Sequence, residues 1–275
     1  MTTTSRSTRV ASTTVLLVVM LFCALPLISL LSAALQPQGT IPLGLSWPTE
    51  PHWENFADAW TAANITVLLR SSVLLVLGVV PMVLLCSTLA GYALGQLRVP
   101  FGGVLLAALL IGLSMPFEVL VTPLYYQLQG MGLLNTRWAL ILPLIGLNLP
   151  FATYWMRAHF VNVPQDIREA SALDGAGTLR ALWHIQLPLA RSAVASLTLL
   201  TFLSTWNQFL LSIVLIDDPD KRTMAGALQT FVGQYGTDVV LLNAGALLIM
   251  APTLLLFVFL QRHFIAAMLQ GSVKG

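Results

Sequence analysis

EASALDGAGTLRALWHIQLP, running from Glu169 to Pro188, is small, charged and punctuated by glycine, and it separates two long apolar segments. Pro164, just upstream, suits the first turn of a helix because it lacks the N–H that would go unpaired there. Behind it Ile167, Ala170, Ser171 and Asp174 recur at roughly helical spacing. Asp166 and Glu169 fall early in that helix, where negative charge complements the N-terminal dipole. Gly175 and Gly177 then interrupt the pattern, as a turn between two helices requires. In the segment that follows, Leu179, Leu182, Trp183 and Ile185 share one side, Arg180 and His184 lie off it, and Pro188 opens the next apolar run. The stretch reads as a short helix, a glycine turn and a second helix. Two uses fit such a unit: a connector lying on a bilayer, or a surface offered to another protein. Ala170, Ser171 and Ala172 lean toward the second, since a partner approaches such low relief closely whereas a lipid-facing helix prefers bulk.

The rest of the chain sets the solvent. Of its 275 residues 57% are hydrophobic and only 9% charged, with a mean hydropathy of +0.83. Soluble domains carry about 25% charged residues, so this chain could not cover a surface in water. A net charge of +2 without any basic run excludes nucleic acid as a partner. Cys23 and Cys86 both fall in apolar segments, as small hydrophobes rather than a disulfide or metal pair. Apolar windows of roughly 20 residues, the length needed to cross the hydrocarbon core, occur six times. They run from about Thr13 to Leu35, Val67 to Leu94, Val104 to Tyr126, Trp138 to Met156, Leu189 to Ile216 and Val239 to Leu260. The first is longer than the roughly 7–15-residue core of a signal peptide, and Phe22 before Cys23 does not suit a lipoprotein signal, so it reads as a retained anchor.

Loop charge orients these spans. With both termini in the cytoplasm, the inner segments hold Arg6, Arg9, Arg98, Arg157, Arg168, Arg180, Arg191, Arg262 and Lys274, and the outer ones only Arg70, Arg137, Lys221 and Arg222. That asymmetry satisfies the positive-inside bias. Glu50, Glu54, Asp58, Asp217, Asp218, Asp220 and Asp238 all fall outside. The expected divisions are an N-terminal tip with the first span and first outer loop (1–66), a membrane region (67–262) whose cytoplasmic loop spans 161–188, and a cytoplasmic tail (263–275). Two outer loops, 36–66 and 217–238, read equally as amphipathic connectors at the interface or as docking surfaces for an external partner.

With the topology set, a resemblance becomes legible. Glu169-Ala170-Ser171, three residues, Gly175, nine residues, then Ile185-Gln186-Leu187-Pro188 matches the EAA motif, E-A-A-x3-G-x9-I-x-L-P. That motif marks the membrane subunits of ATP-binding-cassette importers; the one departure is Ser171 for the second alanine. "PLYYQLQGMGLLNTRWALILPL", "STWNQFL" and the terminal "GSVKG" resemble the carbohydrate branch typified by the maltose-system subunit MalG, and the likeness covers the chain from about Ser71 onward. The resemblance implies an all-α, six-span type I importer fold, with a coupling helix between spans four and five that seats on a cytoplasmic ATPase subunit. Glu169, Ala170, Ser171 and Gly175 would form the contact and its turn, and Asp174 an adjacent polar contact or cap. Ile185, Leu187 and Pro188 would pass motion into the fifth span. The chain has no G-x-x-x-x-G-K-[ST] loop, so ATP and Mg belong to separate ATPase subunits and this chain is not an enzyme. The implied partners are two ATPase subunits, a second permease forming a heterodimer, an extracytoplasmic binding protein and bacterial inner-membrane lipid.

Within the spans, Glu118 is the only acidic residue. An ionisable group at the bilayer centre costs on the order of 3 kcal/mol on insertion scales, so it faces protein or a cavity. Pro116 and Pro123 flank it and would bend or break the third helix. "MPFEV" resembles the matching stretch of permeases for glycerol phosphate uptake, yet an anionic solute disfavours a bare carboxylate. Pairing with a partner subunit therefore stands ahead of a direct pathway role. Trp206, Asn207 and Gln208, placed in mid-span, either bridge helices or meet sugar hydroxyls and a pyranose face. Tyr125 and Tyr126 read as interfacial-belt residues, and Asn148 and Asn243 as hydrogen-bonding links between helices. A stand-alone secondary transporter would need more intramembrane charge. An intramembrane hydrolase would need a nucleophile elbow or metal helix that the sequence lacks.

Overall fold

The computed structural model describes residues 6–42, 44–233 and 236–272; Lys274 and the end of the terminal GSVKG fall outside them. The chain divides into two compact units, one holding residues up to Thr66 with Ala227–Ala251, the other Val67–Gly226 with Pro252 onward.

In the first unit α1 (Arg6–Ala34) is exposed all along 10–23, whereas Ser32 to Leu35 are buried. The loop after it folds back on the end of that helix. Asn55, 1% exposed at the start of α2 (Glu54–Ala62), is the fastening. Its Nδ2 donates to the carbonyls of Ala34 (2.9 Å) and Gln36 (2.8 Å), and its Oδ1 accepts from Gln38 Nε2 (3.0 Å). A buried amide without such partners would be costly. Further along, residues 232–233 and 236–237 form a two-residue antiparallel pair, a minor exception in an otherwise helical chain.

The second unit is organised by α3 (Ile65–Gln96) and α6 (Trp138–Val161). At about 1.5 Å per residue each is long enough for a hydrocarbon core of about 30 Å. Pro81 in α3 and Pro143 and Pro150 in α6 sit inside continuous helix, as membrane helices allow when neighbours satisfy the freed carbonyls. Two glycines one turn apart, Gly91 and Gly95, bring the backbones together: a Cβ on Gly91 would stand 2.7 Å from Met156 Cβ and 2.8 Å from Arg157 N. This is the small-x-x-x-small device of membrane helix packing. The contact is tied by Arg157 Nε donating to the Leu94 carbonyl (3.2 Å) and Gln96 Nε2 donating to the Phe160 carbonyl. At the opposite end of α3, Ser71 Oγ donates to the Lys221 carbonyl (2.8 Å), and Asn135 N donates to the Leu215 carbonyl (2.9 Å). The segments around 135 and 215–224 thus gather at one end of α3 and those around 157–178 at the other, as alternating spans require.

Two expected spans are broken. α4 (Gly102–Ser114) and α5 (Phe117–Gly130) meet at 100°. Pro116 is the cause: it lacks a donor and forces Met115 into extended backbone, ψ 129°. Pro123, the other expected breaker, lies within α5 without ending it. The chain then passes through α7 (Gln165–Leu173), α8 (Thr178–Ala181), a π turn (Leu182–Gln186) and α9 (Leu187–Leu189), which meets α10 (Arg191–Trp206) at 79°. α10 stops at Trp206 and α11 (Leu210–Leu215) follows after three residues, so the window expected as one fifth helix is interrupted. α12 (Val239–Ser272) closes the chain and carries helix beyond the apolar window expected for the sixth span. Among the described residues four helices are long and apolar enough to cross a membrane, and the number rises to six where each bent pair counts as one span.

Replacing Gly91 by valine should overpack α3 against the α6 backbone and cost about 1–3 kcal/mol. Thermal unfolding of the detergent-purified protein should fall accordingly. Gly103→Ala, where a Cβ meets nothing within 4 Å, should leave it unchanged.

Candidate functional site

The polar stretch folds as helix, turn and helix, and its geometry explains the spacing of its residues. Pro164 stands at the N-cap of α7 rather than within its first turn, and Gln165 Nε2 donates to Glu169 Oε1 at 2.6 Å one turn on. The helix ends at Asp174, the C-cap. Gly175 follows with φ +72°; its N–H donates to the Ala172 carbonyl (3.1 Å) and the Ala176 N–H to that of Ser171 (3.0 Å). These are the paired bonds of a Schellman stop, which places glycine in the left-handed region. A Cβ on Gly175 would meet nothing within 4 Å, so glycine is required here by backbone conformation and not by space.

The two faces of α7 differ. Ser171 turns inward at 7% exposed, its Oγ donating to the Arg168 carbonyl at 2.7 Å. The hydroxyl that departs from the alanine of the motif is therefore satisfied within its own turn. Glu169, Ala170 and Asp174 are exposed, and Leu173 is 89% exposed.

The second helix corrects the expected pattern. Leu182 is fully buried and Ile185 half-buried, whereas Leu179 (65%) and Trp183 (43%) are exposed, so these four do not share one side. Pro188 offers no N–H to the carbonyl one turn back, and the helix widens into the π turn at Leu182–Gln186. Widening shifts the angular repeat of the side chains. Leu187 is half-buried and Pro188 exposed, one turn ahead of the bend at the buried Ala190. Below the loop lies Tyr92 of α3, absent from the sequence-based set. Its hydroxyl donates to the Thr178 carbonyl at a long 3.4 Å, and its ring meets Phe160 edge-on at 5.6 Å. The G-x-x-x-G spacing of Gly91 and Gly95 around it was the available signal.

The residues expected along the path lie at the start of α5 and at the end of α10. Glu118 lies exposed in the first turn of α5 and makes no ion pair among the described residues. Trp206, Asn207 and Gln208 lie at the end of α10 and in the break after it, not in mid-helix. Trp206 is 2% exposed and stacks on Phe202 with ring centroids 5.3 Å apart, so its face is already covered. Asn207 is exposed, its Nδ2 donating to the Leu203 carbonyl (3.0 Å); Gln208 Oε1 accepts from Leu211 N (3.3 Å). Asn148 does join two helices, accepting from Ser204 Oγ at 2.7 Å, whereas Asn243 bonds only within its own helix. In the loop after α11, Lys221 Nζ stands 3.1 Å from Asp218 Oδ2, and its hydrogen bond holds the Asp218 carboxyl below the ordinary carboxylate range. A depressed carboxyl keeps its charge as pH falls until the medium passes below that lowered value, so this bridge is intact at neutral pH.

Residues 87–270 match the family of binding-protein-dependent transport system inner membrane components. The chain is 33% identical to the diacetylchitobiose uptake system permease protein NgcG of Streptomyces coelicolor, over 90% of this chain and 83% of that one. It is 31% identical to the arabinooligosaccharides transport system permease protein AraQ of Halalkalibacterium halodurans, over 91% of both. Its fold matches a bacterial ABC transporter involved in import of the acidic polysaccharide alginate, with a TM-score of 0.79, 20% identity, and coverage of 96% of this chain and 100% of that one. The chain belongs to this family of bacterial inner-membrane permeases, multi-pass and of type I importer fold. Such permeases are not enzymes: they work with a separate ATPase and an external binding protein, which sets aside the stand-alone transporter and the intramembrane hydrolase.

Gly175→Ala should weaken the Schellman stop by about 1–2 kcal/mol, the cost of the left-handed region for a residue with a Cβ. Hydrogen exchange at the Gly175 and Ala176 amides should quicken while that of α6 stays unchanged.

Proposed function

We propose that this permease forms half of the translocation path for a sugar or sugar derivative: an oligosaccharide, an amino sugar or a glycerophosphate-type solute. The names of its relatives, transporters of diacetylchitobiose and arabinooligosaccharides, support the sugar class. The other half of the path would be a second, different permease, with two ATPase subunits holding ATP and Mg, and both termini of this chain in the cytoplasm. The exposed 10–23 face of α1 suits burial against lipid and that second permease. Glu118 would meet a residue of the partner subunit, which relieves the cost of an exposed carboxylate in a span. Asn207 and Gln208 would border the path, with Trp206 behind them.

One observation carries the coupling role. α7 is closed by its glycine stop and presents Glu169, Ala170 and the 89%-exposed Leu173 outward, while Ser171 and Leu182 face the protein. Seated in a cleft of the ATPase subunit, Glu169 would accept charge-assisted bonds from a cleft Arg or Lys, which are shorter and stronger than neutral ones. Asp174 would add a polar contact at the cap. Ile185, Leu187 and Pro188 would pass the displacement through the π turn into α10.

The double variant Glu169→Lys, Gly175→Leu should insert normally yet fail to retain the ATPase subunit on purification, or abolish the binding protein's stimulation of ATP hydrolysis. Normal retention and stimulation would show that α7 is not the docking element. The solute class is checked separately by mass spectrometry of the ligand retained by the binding protein purified with this transporter. A saccharide is expected, and an amino acid or metal ion would overturn the assignment.

A further inference from the structure

The loop after α11 doubles back over the break in the fifth span, and its hydrogen bonds go into that break. The α10 ladder ends with Asn207 N donating to the Leu203 carbonyl (3.1 Å) and Gln208 N to the Thr205 carbonyl (3.4 Å), and the α11 ladder opens with Ile213 N donating to the Phe209 carbonyl at 3.1 Å. In an unbroken helix the Gln208 carbonyl would accept from the Ser212 N–H. Here Thr223, fifteen residues downstream, supplies the donor instead: its Oγ1 donates to that carbonyl at 2.8 Å. The Thr223 N–H donates to Ser212 Oγ at 2.9 Å, and the Thr223 hydroxyl oxygen accepts from Gly226 N at 3.1 Å, which turns its proton toward Gln208. The next residue is fixed to α3, with Met224 N donating to Ser72 Oγ at 2.7 Å. Thr223, Met224 and Ser72 are each 1% exposed. Connecting loops normally run over the surface, so a buried strap bonded at both neighbours is a built feature. Fit is close as well, since a Cβ on Gly226 would stand 2.9 Å from Ser212 Oγ.

We propose that Thr223 is a positioning residue of the translocation path: its hydroxyl stands in for the missing helical donor and keeps the fifth span broken, so that Asn207 is presented at an exposed surface. The inference rests on the reading that Asn207 borders the path. Without the hydroxyl, the Gln208 carbonyl finds a protein donor by re-forming the helix to the Ser212 N–H, which moves the segment that flanks Asn207 and closes the opening beside it. The strap also makes this break reversible, because a hydrogen bond holds it and no proline does.

The test uses the assembled transporter in nanodiscs, with Cys23 and Cys86 replaced by serine and Asn207→Cys introduced. The reaction rate with a charged, membrane-impermeant methanethiosulfonate reagent reports presentation of position 207. Thr223→Val, which keeps the shape and removes the hydroxyl, should slow labelling about five-fold, the shift that one hydrogen bond's usual net contribution carries. Thr223→Ser should restore the rate, and labelling at Leu97→Cys, exposed just past α3, should not change with either variant. Equal labelling of Asn207→Cys in the Thr223 parent and in Thr223→Val overturns the strap while leaving the path reading in place. A parent that does not label at 207 overturns the path reading and the proposal with it. Should Thr223→Val not assemble, Ser212→Ala, which removes the acceptor of the Thr223 N–H, carries the same expectation, and an unchanged rate there contradicts it.

Discussion

The loop proposed to dock the ATPase can move a membrane helix only if it is stiffly fastened to one, and the fastening is the close approach of α3 and α6 at Gly91 and Gly95. Because neither glycine has a side chain, Tyr92 between them lies against Phe160, and its hydroxyl reaches the start of the loop's second helix at Thr178. Leu182 drops into the same core as Tyr92, Met156 and Phe160. Close-packed interiors are weakly compressible and transmit displacement rather than absorb it. A push on Glu169 or Leu173 therefore meets a block made of the loop and the ends of two spans. The glycine stop after α7 sharpens this, because a hydrogen-bonded turn passes on motion that a frayed end would dissipate.

The two interrupted spans use different physics. At Pro116 the break is written covalently: the missing donor and the extended Met115 leave no continuous helix to return to. At 207–209 there is no proline or glycine, and the break is held by the strap that ends on Thr223 and Ser72. The first interruption is fixed by its proline, whereas the second is held by hydrogen bonds that, under the proposal above, can exchange.

Much of this was legible in residue patterns. Four of the six apolar windows are single long helices and the third and fifth are broken, and the Gly175 turn follows from a helical repeat cut by glycine. Pro116 behaved as its chemistry requires. The misreadings have separate origins. Pro123 stays inside continuous helix, as membrane helices allow, and the π turn at Leu182–Gln186 breaks the regular repeat on which a shared face of the second helix depends. Of the two readings open for Trp206, a helix bridge or a face for a pyranose ring, the stacking of Phe202 one turn earlier bears on the second by covering that face. The break after Trp206 is invisible locally, since its partners lie fifteen residues downstream and on α3. Hydrogen bonds between distant segments leave no periodic trace in a sequence.

The central claim is that the loop from α7 to α9 moves as one body with the ends of α3 and α6. Electron–electron double resonance between spin labels at two exposed positions, Leu173→Cys on the loop and Leu97→Cys just past α3, tests it in the assembled transporter. The account predicts that this distance distribution stays the same with and without trapped ATP, while the distance from Leu173→Cys to a label on the second permease shortens on ATP. A change in the Leu173–Leu97 distance as large as that second change would mean that the loop slides on its own, and would contradict the account.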